Sequence, residues 1–354
     1  MILTGGISIT DKEIEYVTDA VRKGWDEHHS DYKVKFEKEF AKYVGSKYAY
    51  AVTGGTQALW LSLAALNIGP GDEVIIPELT YFACSDVVKP LGATPVFVDI
   101  LRDTWCIDPV SLNKAITPDT RVIMPVYAYG NAPEMEEIMA LADKYDLYVV
   151  EDACPAVGTF YKDKHAGTFG DFGCFSFHGA KIMTTGFGGM VVTDNKELYD
   201  RVVFLDDHGE DKSRPDRFWQ KEVGYTFYMH NINAAMGLAQ LERIEEFVSK
   251  KRQIHQWYKD RLIKWTLNTE QPASRTNMWF TSILVPNRAR AMARLKSRGI
   301  DTRPFFYPIS MFPMYENQDN PVAYDICLKG INLPSGVQRT EGDIDLICEV
   351  INES

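Results

Sequence analysis

The sequence predicts an α/β protein: a large domain with a mostly parallel, mixed sheet over residues 1–249, then a smaller α+β domain over 250–354. Three observations carry this reading. Short apolar runs alternate with helical patterns through the first half, a βαβα rhythm that lays strands parallel with helices on both faces. An amphipathic helix is read over 231–248, where Ile232, Ala235, Leu238, Leu241 and Ile244 recur along one face. After about residue 250 the pattern changes to strand, helix, strand.

In order, 48–52 reads as a strand and 56–66 as a helix. Strand 73–77 leads into a helix over 83–90. Strands follow at 94–98, 122–126 and 148–151, with a helix over 134–145. The runs 174–176 and 189–193 complete the large sheet. In the second domain, 278–285 is a strand, 288–298 a helix and 300–303 a strand. Ligands of parallel sheets sit at the carboxyl ends of the strands.

Bulk properties narrow the function. The chain has 354 residues, 45% of them hydrophobic and 25% charged, enough for a large core without covalent staples. No window approaches the ~20 apolar residues that span a bilayer. The N-terminal MILTGGISIT lacks the basic start and apolar run of a signal peptide, so a cytoplasmic protein without a membrane partner is expected. The six cysteines are scattered with no C-x-x-C pair, which argues against a disulfide framework or a metal site. A net charge of −11 argues against nucleic acid as a partner.

Two residues carry the chemistry. Asp152, in VVEDAC, stands at the carboxyl end of an apolar strand; taken alone it reads equally well as a helix cap. Lys181, in CFSFHGAKIMTTGFGG, follows another apolar strand. If both strand ends open into one crevice, a carboxylate meets an amine there. Pyridoxal 5′-phosphate (PLP) needs that pair: an amine to form an imine with its aldehyde, and a carboxylate to keep its pyridine nitrogen protonated. The phosphate needs donors. Gly54, Gly55 and Thr56 precede a helix, whose N-terminal N–H groups suit an anion, although helix entry alone also explains them. Ser176 adds a hydroxyl five residues before Lys181. Asn231 opens the long helix and reads both as its N-cap and as a donor. Tyr81, after strand 73–77, reads as a cover for a flat cofactor or as core packing.

Taken together, TGGTQAL, NIGPGDEVIIPELTYFA, GATPVFVDI, PVYAYGN, VVEDAC, GTFGDFGCFSFHGAK, TTGFGGMVVTD, DDHG, VGYTFYMHNINAAMGLAQLE, DTRPFFYP and GINLPSG make the chain resemble the DegT/StrS-type aminotransferases of nucleotide-sugar biosynthesis. This is a fold-type I, PLP-dependent family, and its perosamine synthases look most similar. The resemblance implies that Lys181 binds the cofactor, Asp152 pairs with the pyridinium nitrogen, Tyr81 stacks on the ring, and Gly55, Thr56 and Ser176 hold the phosphate. It also implies a homodimer with shared active sites. There the GYN-aromatic-Arg run, here GYTFY, would reach the partner's phosphate through Thr226, with Asn231 as a substitute amide.

The chain departs from the family pattern at Gly54, Pro155, Phe187, Tyr127, Tyr228 and Ser310. Phe187 and Tyr127 are expected on the substrate side, and Arg303 is read either as the cation for a sugar diphosphate or as a structural ion pair. The implied reaction moves an amino group from L-glutamate to a nucleotide-linked 4-keto-6-deoxyhexose at C4. C3 amination of a 3-keto sugar nucleotide and a non-catalytic PLP-fold sensor are the alternatives. A nicotinamide-dependent oxidoreductase ranks lower, because no G-x-G-x-x-G follows an early strand with an acidic residue ~20 positions on.

Overall fold

The computed structural model describes residues 1–216 and 218–353. Nine strands occupy the first two hundred residues: β1 (Tyr48–Val52), β2 (Glu73–Pro77), β3 (Thr94–Val98), β4 (Thr120–Ile123), β5 (Tyr148–Asp152), the short hairpin β6 (Phe160–Tyr161) and β7 (Lys164–His165), β8 (Phe172–Ser176) and β9 (Gly189–Thr193). Seven form the main sheet in the order β1-β9-β8-β5-β4-β2-β3. β3, β2, β4, β5 and β8 pair in parallel, whereas β9 runs antiparallel to both β8 and β1. The carboxyl ends of six strands and the amino end of β9 therefore meet along one edge.

Both faces of this sheet are dry. Successive strand residues point to opposite sides, so Ala49 and Ala51 of β1 join one apolar cluster while Tyr50 and Val52 join the other. On the first face Phe40, from the helix Asp31–Val44, meets Phe175 of β8 at 5.0 Å between ring centroids. On the second face lies the helix Gly55–Ala65, whose Ala58, Leu59, Leu61 and Leu63 are all buried. A helix that is apolar nearly all round belongs inside a protein, and this one is wedged between the sheet and the helix Lys196–Asp206.

The C-terminal strands are β10 (Thr266–Leu267), β11 (Ser274–Arg275), β12 (Ser282–Leu284), β13 (Arg303–Pro304) and β14 (Gly330–Asn332). Four of them make an antiparallel sheet, β10-β12-β14-β13, while β11 joins β6. The helix Ile244–Arg261 runs across position 249/250. Its Phe247 and Val248 belong to the core beneath the main sheet, and its Ile254 and Tyr258 to the core behind the small one.

The single helix expected over 231–248 is two helices, Asn231–Leu241 and Ile244–Arg261. The apolar period continues through the break, so it carries no warning. Arg243 stands at the break, where its guanidinium bonds Glu13 Oε1 at 2.9 Å, Ser8 Oγ at 2.9 Å and Glu246 Oε1 at 3.0 Å. The strand expected over 278–285 is only Ser282–Leu284: Met278 takes a left-handed φ of 51°, and the amides of Trp279 and Thr281 go to side chains, Asn277 Oδ1 and Ser335 Oγ, each at 2.9 Å. The strand expected over 300–303 is reduced to Arg303–Pro304.

The Glu13–Arg243 pairing ties the N-terminal helix, Asp11–Lys23, to the body and sets an acid limit. Burial opposes the Glu13 charge, but the Thr10 hydroxyl and amide, Arg243 and Gln240 all bond it, and its carboxyl falls from 4.5 to about 2. A carboxylate depressed by folding contributes stability above its unfolded value and loses that contribution as pH falls through its folded one. Urea titrations should therefore show wild type losing stability between pH 4.5 and about 2. Glu13→Gln, already weaker at pH 7, should lose less across that window. Parallel curves for the two proteins would contradict the assignment.

Candidate active site

The end of β5 presents two adjacent carboxylates to opposite faces. Asp152, 5% exposed, accepts the Cys84 thiol at 3.0 Å on Oδ2 and the Cys154 amide at 3.0 Å on Oδ1. Glu151 points the other way and accepts four donors: the Tyr127 hydroxyl at 2.6 Å and the amides of Gly167 (2.8 Å), Phe169 (2.6 Å) and Gly170 (2.8 Å). Burial first, and then the Glu151 charge, push the Tyr127 hydroxyl well above its ordinary range. Tyr127 was expected on the substrate side. It is fully buried against Glu151 instead, and its neighbours Val126, Ala128 and Tyr129 line the cavity.

That cavity, about 370 Å³, opens at the carboxyl edge of the sheet. Lys181 enters it from the loop after β8, where its amide bonds the His178 carbonyl at 2.8 Å. Its Nζ lies 4.1 Å from the centroid of the Trp279 ring. Burial lowers the lysine's proton affinity, and the nearby Cys154, Asp152 and Cys84 oppose that shift. Trp279 comes from the C-terminal half of the chain. Its indole N–H donates to the Ala180 carbonyl at 2.7 Å, and its own carbonyl accepts the buried Lys251 ammonium at 2.8 Å. A flat aromatic ring thus closes one side of the lysine, held at both ends.

An anion cradle faces the pair. The helix Gly55–Ala65 begins at the cavity wall with no side chain capping it, so its first N–H groups point into the space. Close approach explains the glycines. A Cβ on Gly55 would lie 2.7 Å from Cys154 Sγ and 2.9 Å from Ser176 Cβ, and one on Gly189 would meet the Gly54 backbone at 2.5 Å. Ser176 ends β8 beside this turn, 8% exposed, while Thr56 is exposed. The Gln57 Oε1 oxygen is buried there without a partner among the described residues.

Aromatic residues ring the mouth. Tyr81 is 47% exposed and packs against Phe82 and Phe306, with centroids at 4.1 and 5.7 Å. Phe187 is 57% exposed and meets His178 edge-on at 5.8 Å. Arg303 lines the cavity from β13 and makes no ion pair among the described residues. A larger groove, about 520 Å³, lies between the helix Ile244–Arg261 and β10; it contains neither Asp152 nor Lys181.

The structure therefore gathers Lys181, Asp152, Gly55, Thr56, Ser176, Tyr81, Phe187 and Arg303 around one cavity. Thr226 and Asn231 do not line it. Thr226 is exposed, and Asn231 is buried, its Oδ1 accepting the Tyr32 amide at 2.8 Å at the start of the helix Asp31–Val44. Cys84, Trp279 and Phe306 were missed by sequence reasoning. Cys84 lies one helical turn past Tyr81, a readable signal, whereas Trp279 and Phe306 arrive from the other end of the chain.

Residues 7–352 match the profile of the DegT/DnrJ/EryC1/StrS aminotransferase family. The chain is 42% identical over 352 residues to a GDP-perosamine synthase of Escherichia coli O157:H7, covering 98% of this chain and 96% of that protein. It is 38% identical to one of Caulobacter vibrioides, covering 96% and 95%. Among solved structures, the aminotransferase from Psychrobacter cryohalolentis superposes with a TM-score of 0.92 at 29% identity, covering 99% of this chain and 98% of that one. A Streptococcus pneumoniae protein solved in its PMP form gives 0.94 at 26% identity, covering 100% and 98%. With a profile match over almost its whole length and relatives this similar, the chain belongs to the DegT/DnrJ/EryC1/StrS aminotransferase family.

Proposed function

We propose that this enzyme transfers an amino group from L-glutamate to a nucleotide-linked 4-keto-6-deoxyhexose at C4. The enzyme is an aminotransferase, and its cofactor is PLP. One observation carries the site reading: Lys181 and Asp152, from two different strand ends, line one cavity that also holds an uncapped helix N-terminus. The residues suit the cofactor, because the uncapped start of the helix Gly55–Ala65 lies on the cavity wall, where its N–H groups suit a dianion, and Ser176 packs against the same turn.

In this reading Lys181 would bind the cofactor covalently, Asp152 would pair with its ring nitrogen and Tyr81 would cover its ring. Gly55, Thr56 and Ser176 hold its phosphate. The cofactor, when bound, supplies an electron sink. The Lys181 amine, once freed by the amino donor, would take the proton from the donor's Cα as general base and deliver it to the cofactor carbon as general acid. Desolvation favours the neutral amine that this step needs. Asp152 would be the partner that keeps the ring nitrogen protonated.

Similarity to the GDP-perosamine synthases supports the acceptor. In this reading Arg303, which lines the cavity without a carboxylate partner among the described residues, takes the diphosphate, and the exposed Phe187 ring offers an apolar face to the sugar. A second copy of the chain is proposed to bring Thr226 to the phosphate, since closed two-fold dimers are the commonest assemblies. The Asn231 amide is committed to its own chain. Sedimentation of the purified chain as a monomer would sink that part.

The acceptor test is direct. Enzyme treated with glutamate and freed of the donor is offered keto-sugar nucleotides one at a time. Return of the original cofactor absorbance identifies an acceptor, and NMR of the product locates the amine. A 4-keto-6-deoxy sugar nucleotide is expected to respond. A response to a 3-keto sugar alone would move the amination to C3, and no response to any acceptor would favour a sensor.

A further inference from the structure

The main-sheet edge holds a polar chain that the proposed chemistry does not use. Cys84 is fully buried in the short helical turn Ala83–Asp86 that follows Tyr81. Its thiol donates to Asp152 Oδ2 at 3.0 Å. The Thr80 hydroxyl lies 3.7 Å from the same sulfur. A thiol has one proton, and that proton is spent on the carboxylate. The Thr80 contact therefore runs one way, from the hydroxyl to the sulfur. The other carboxylate oxygen accepts the Cys154 amide at 3.0 Å, so both Asp152 oxygens are held by the protein and the carboxylate plane is fixed.

We propose that Cys84, supported by Thr80, is a positioning residue that fixes the Asp152 carboxylate and moderates its negative charge. The inference rests on the reading of Asp152 as the partner of the cofactor's ring nitrogen. Two physical points support it. Burial first, and then the Asp152 charge, raise the thiol well above its ordinary range. Cys84 therefore stays protonated and acts as a donor, not as a nucleophile or a competing anion. Both donors also act in a dry site, where a hydrogen bond to a charged group counts for more than in water and successive bonds strengthen one another. A carboxylate deprived of the thiol would be held at Oδ1 alone, by the Cys154 amide, so its plane would be less firmly set and its charge less evenly shared with the protein.

The test compares Cys84→Ser, Cys84→Ala and Thr80→Val in the PLP-loaded enzyme. Serine keeps a donor and should keep turnover and the cofactor absorbance spectrum near wild type. Alanine removes the donor. It should lower kcat about tenfold, the lower end for a bond to a charged group, with KM for the amino donor little changed. It should also shift the pH at which the bound cofactor changes its absorbance. Thr80→Val should do the same to a smaller degree. An infrared measurement reads the bond without activity. The S–H band that disappears in Cys84→Ser should sit at low frequency in wild type and move up in Asp152→Asn, because a neutral acceptor pulls less on the proton.

An unmoved S–H band overturns the proposal, and so does a Cys84→Ala enzyme with wild-type kcat and spectrum. If Cys84→Ala fails to fold, the band and Thr80→Val decide. The two readings also separate. Loss of turnover in Asp152→Asn with no effect in Cys84→Ala leaves the Asp152 role standing and removes that of Cys84. Full turnover in Asp152→Asn removes both.

Discussion

Lys181→Ala is expected to end multiple-turnover amino transfer, with a loss of about 10⁴-fold or more. Proton transfer by a positioned group is worth about 10²–10⁴-fold, and the same residue is assigned the covalent hold on the cofactor. No second amine stands ready to replace it, since Lys181 is the single lysine lining the cavity among the described residues. The fold should survive, because Lys181 sits in a loop after β8 and its ammonium makes no ion pair among the described residues. The cofactor should still bind through its phosphate, so the variant is expected to take up PLP without its wild-type spectrum. A small primary amine added in excess should restore a trace of turnover. Single-turnover absorbance changes measured with glutamate would check each part. A variant that keeps more than a few per cent of wild-type turnover would contradict the role.

Asp152→Asn and Asp152→Ala are expected to give the next largest loss. An opposite charge within about 4–6 Å raises a cationic group's proton affinity by about 1–3 units. Removing it cuts the protonated fraction of the ring by about 10–1,000-fold once its pKa falls below the working pH. Asparagine tests the charge alone, because it keeps the size and still accepts a hydrogen bond. Both variants should bind PLP, since the cradle lies on another element. Both should fail mainly in kcat. Steady-state kinetics with a fixed acceptor reads the split. Near-normal kcat in Asp152→Asn would exclude the charge as the working feature.

The large sheet was legible because its strands are apolar on both faces and short enough to be bounded by Gly, Pro and Asp. β1, β2, β3 and β9 fall where the residue pattern puts them. The helix break at Arg243 was not legible, since its cause is a guanidinium reaching Glu13 and Ser8 more than two hundred residues away. The helix Asp11–Lys23 carries a readable signal, since Thr10 and Glu13 form a capping box at its start.

The site divided along the same line. Asp152 and Lys181 were readable because each follows its own apolar strand, and parallel strands deliver their carboxyl ends to one edge. Tyr127 was misplaced for a local reason. β4 ends at Ile123, and the chain beyond it is irregular, with Tyr129 at a φ of 56°. Strand parity therefore says nothing about which tyrosine faces the cavity. Trp279 was unreadable, since its approach to Lys181 depends on how the C-terminal half docks. The sequence leaves Arg303 open to two readings, and its lack of an ion pair among the described residues favours the ligand-binding one.

The central claim is that Lys181 is the covalent anchor of the cofactor in the cavity shared with Asp152. Borohydride reduction of the PLP-loaded enzyme followed by peptide mass mapping tests it most directly, because reduction makes the linkage permanent whichever lysine forms it. The predicted result is a pyridoxyl mass on the peptide containing Lys181 and on no other, with that mass missing from Lys181→Ala. A label on any other lysine, or an unchanged label in Lys181→Ala, would contradict the account.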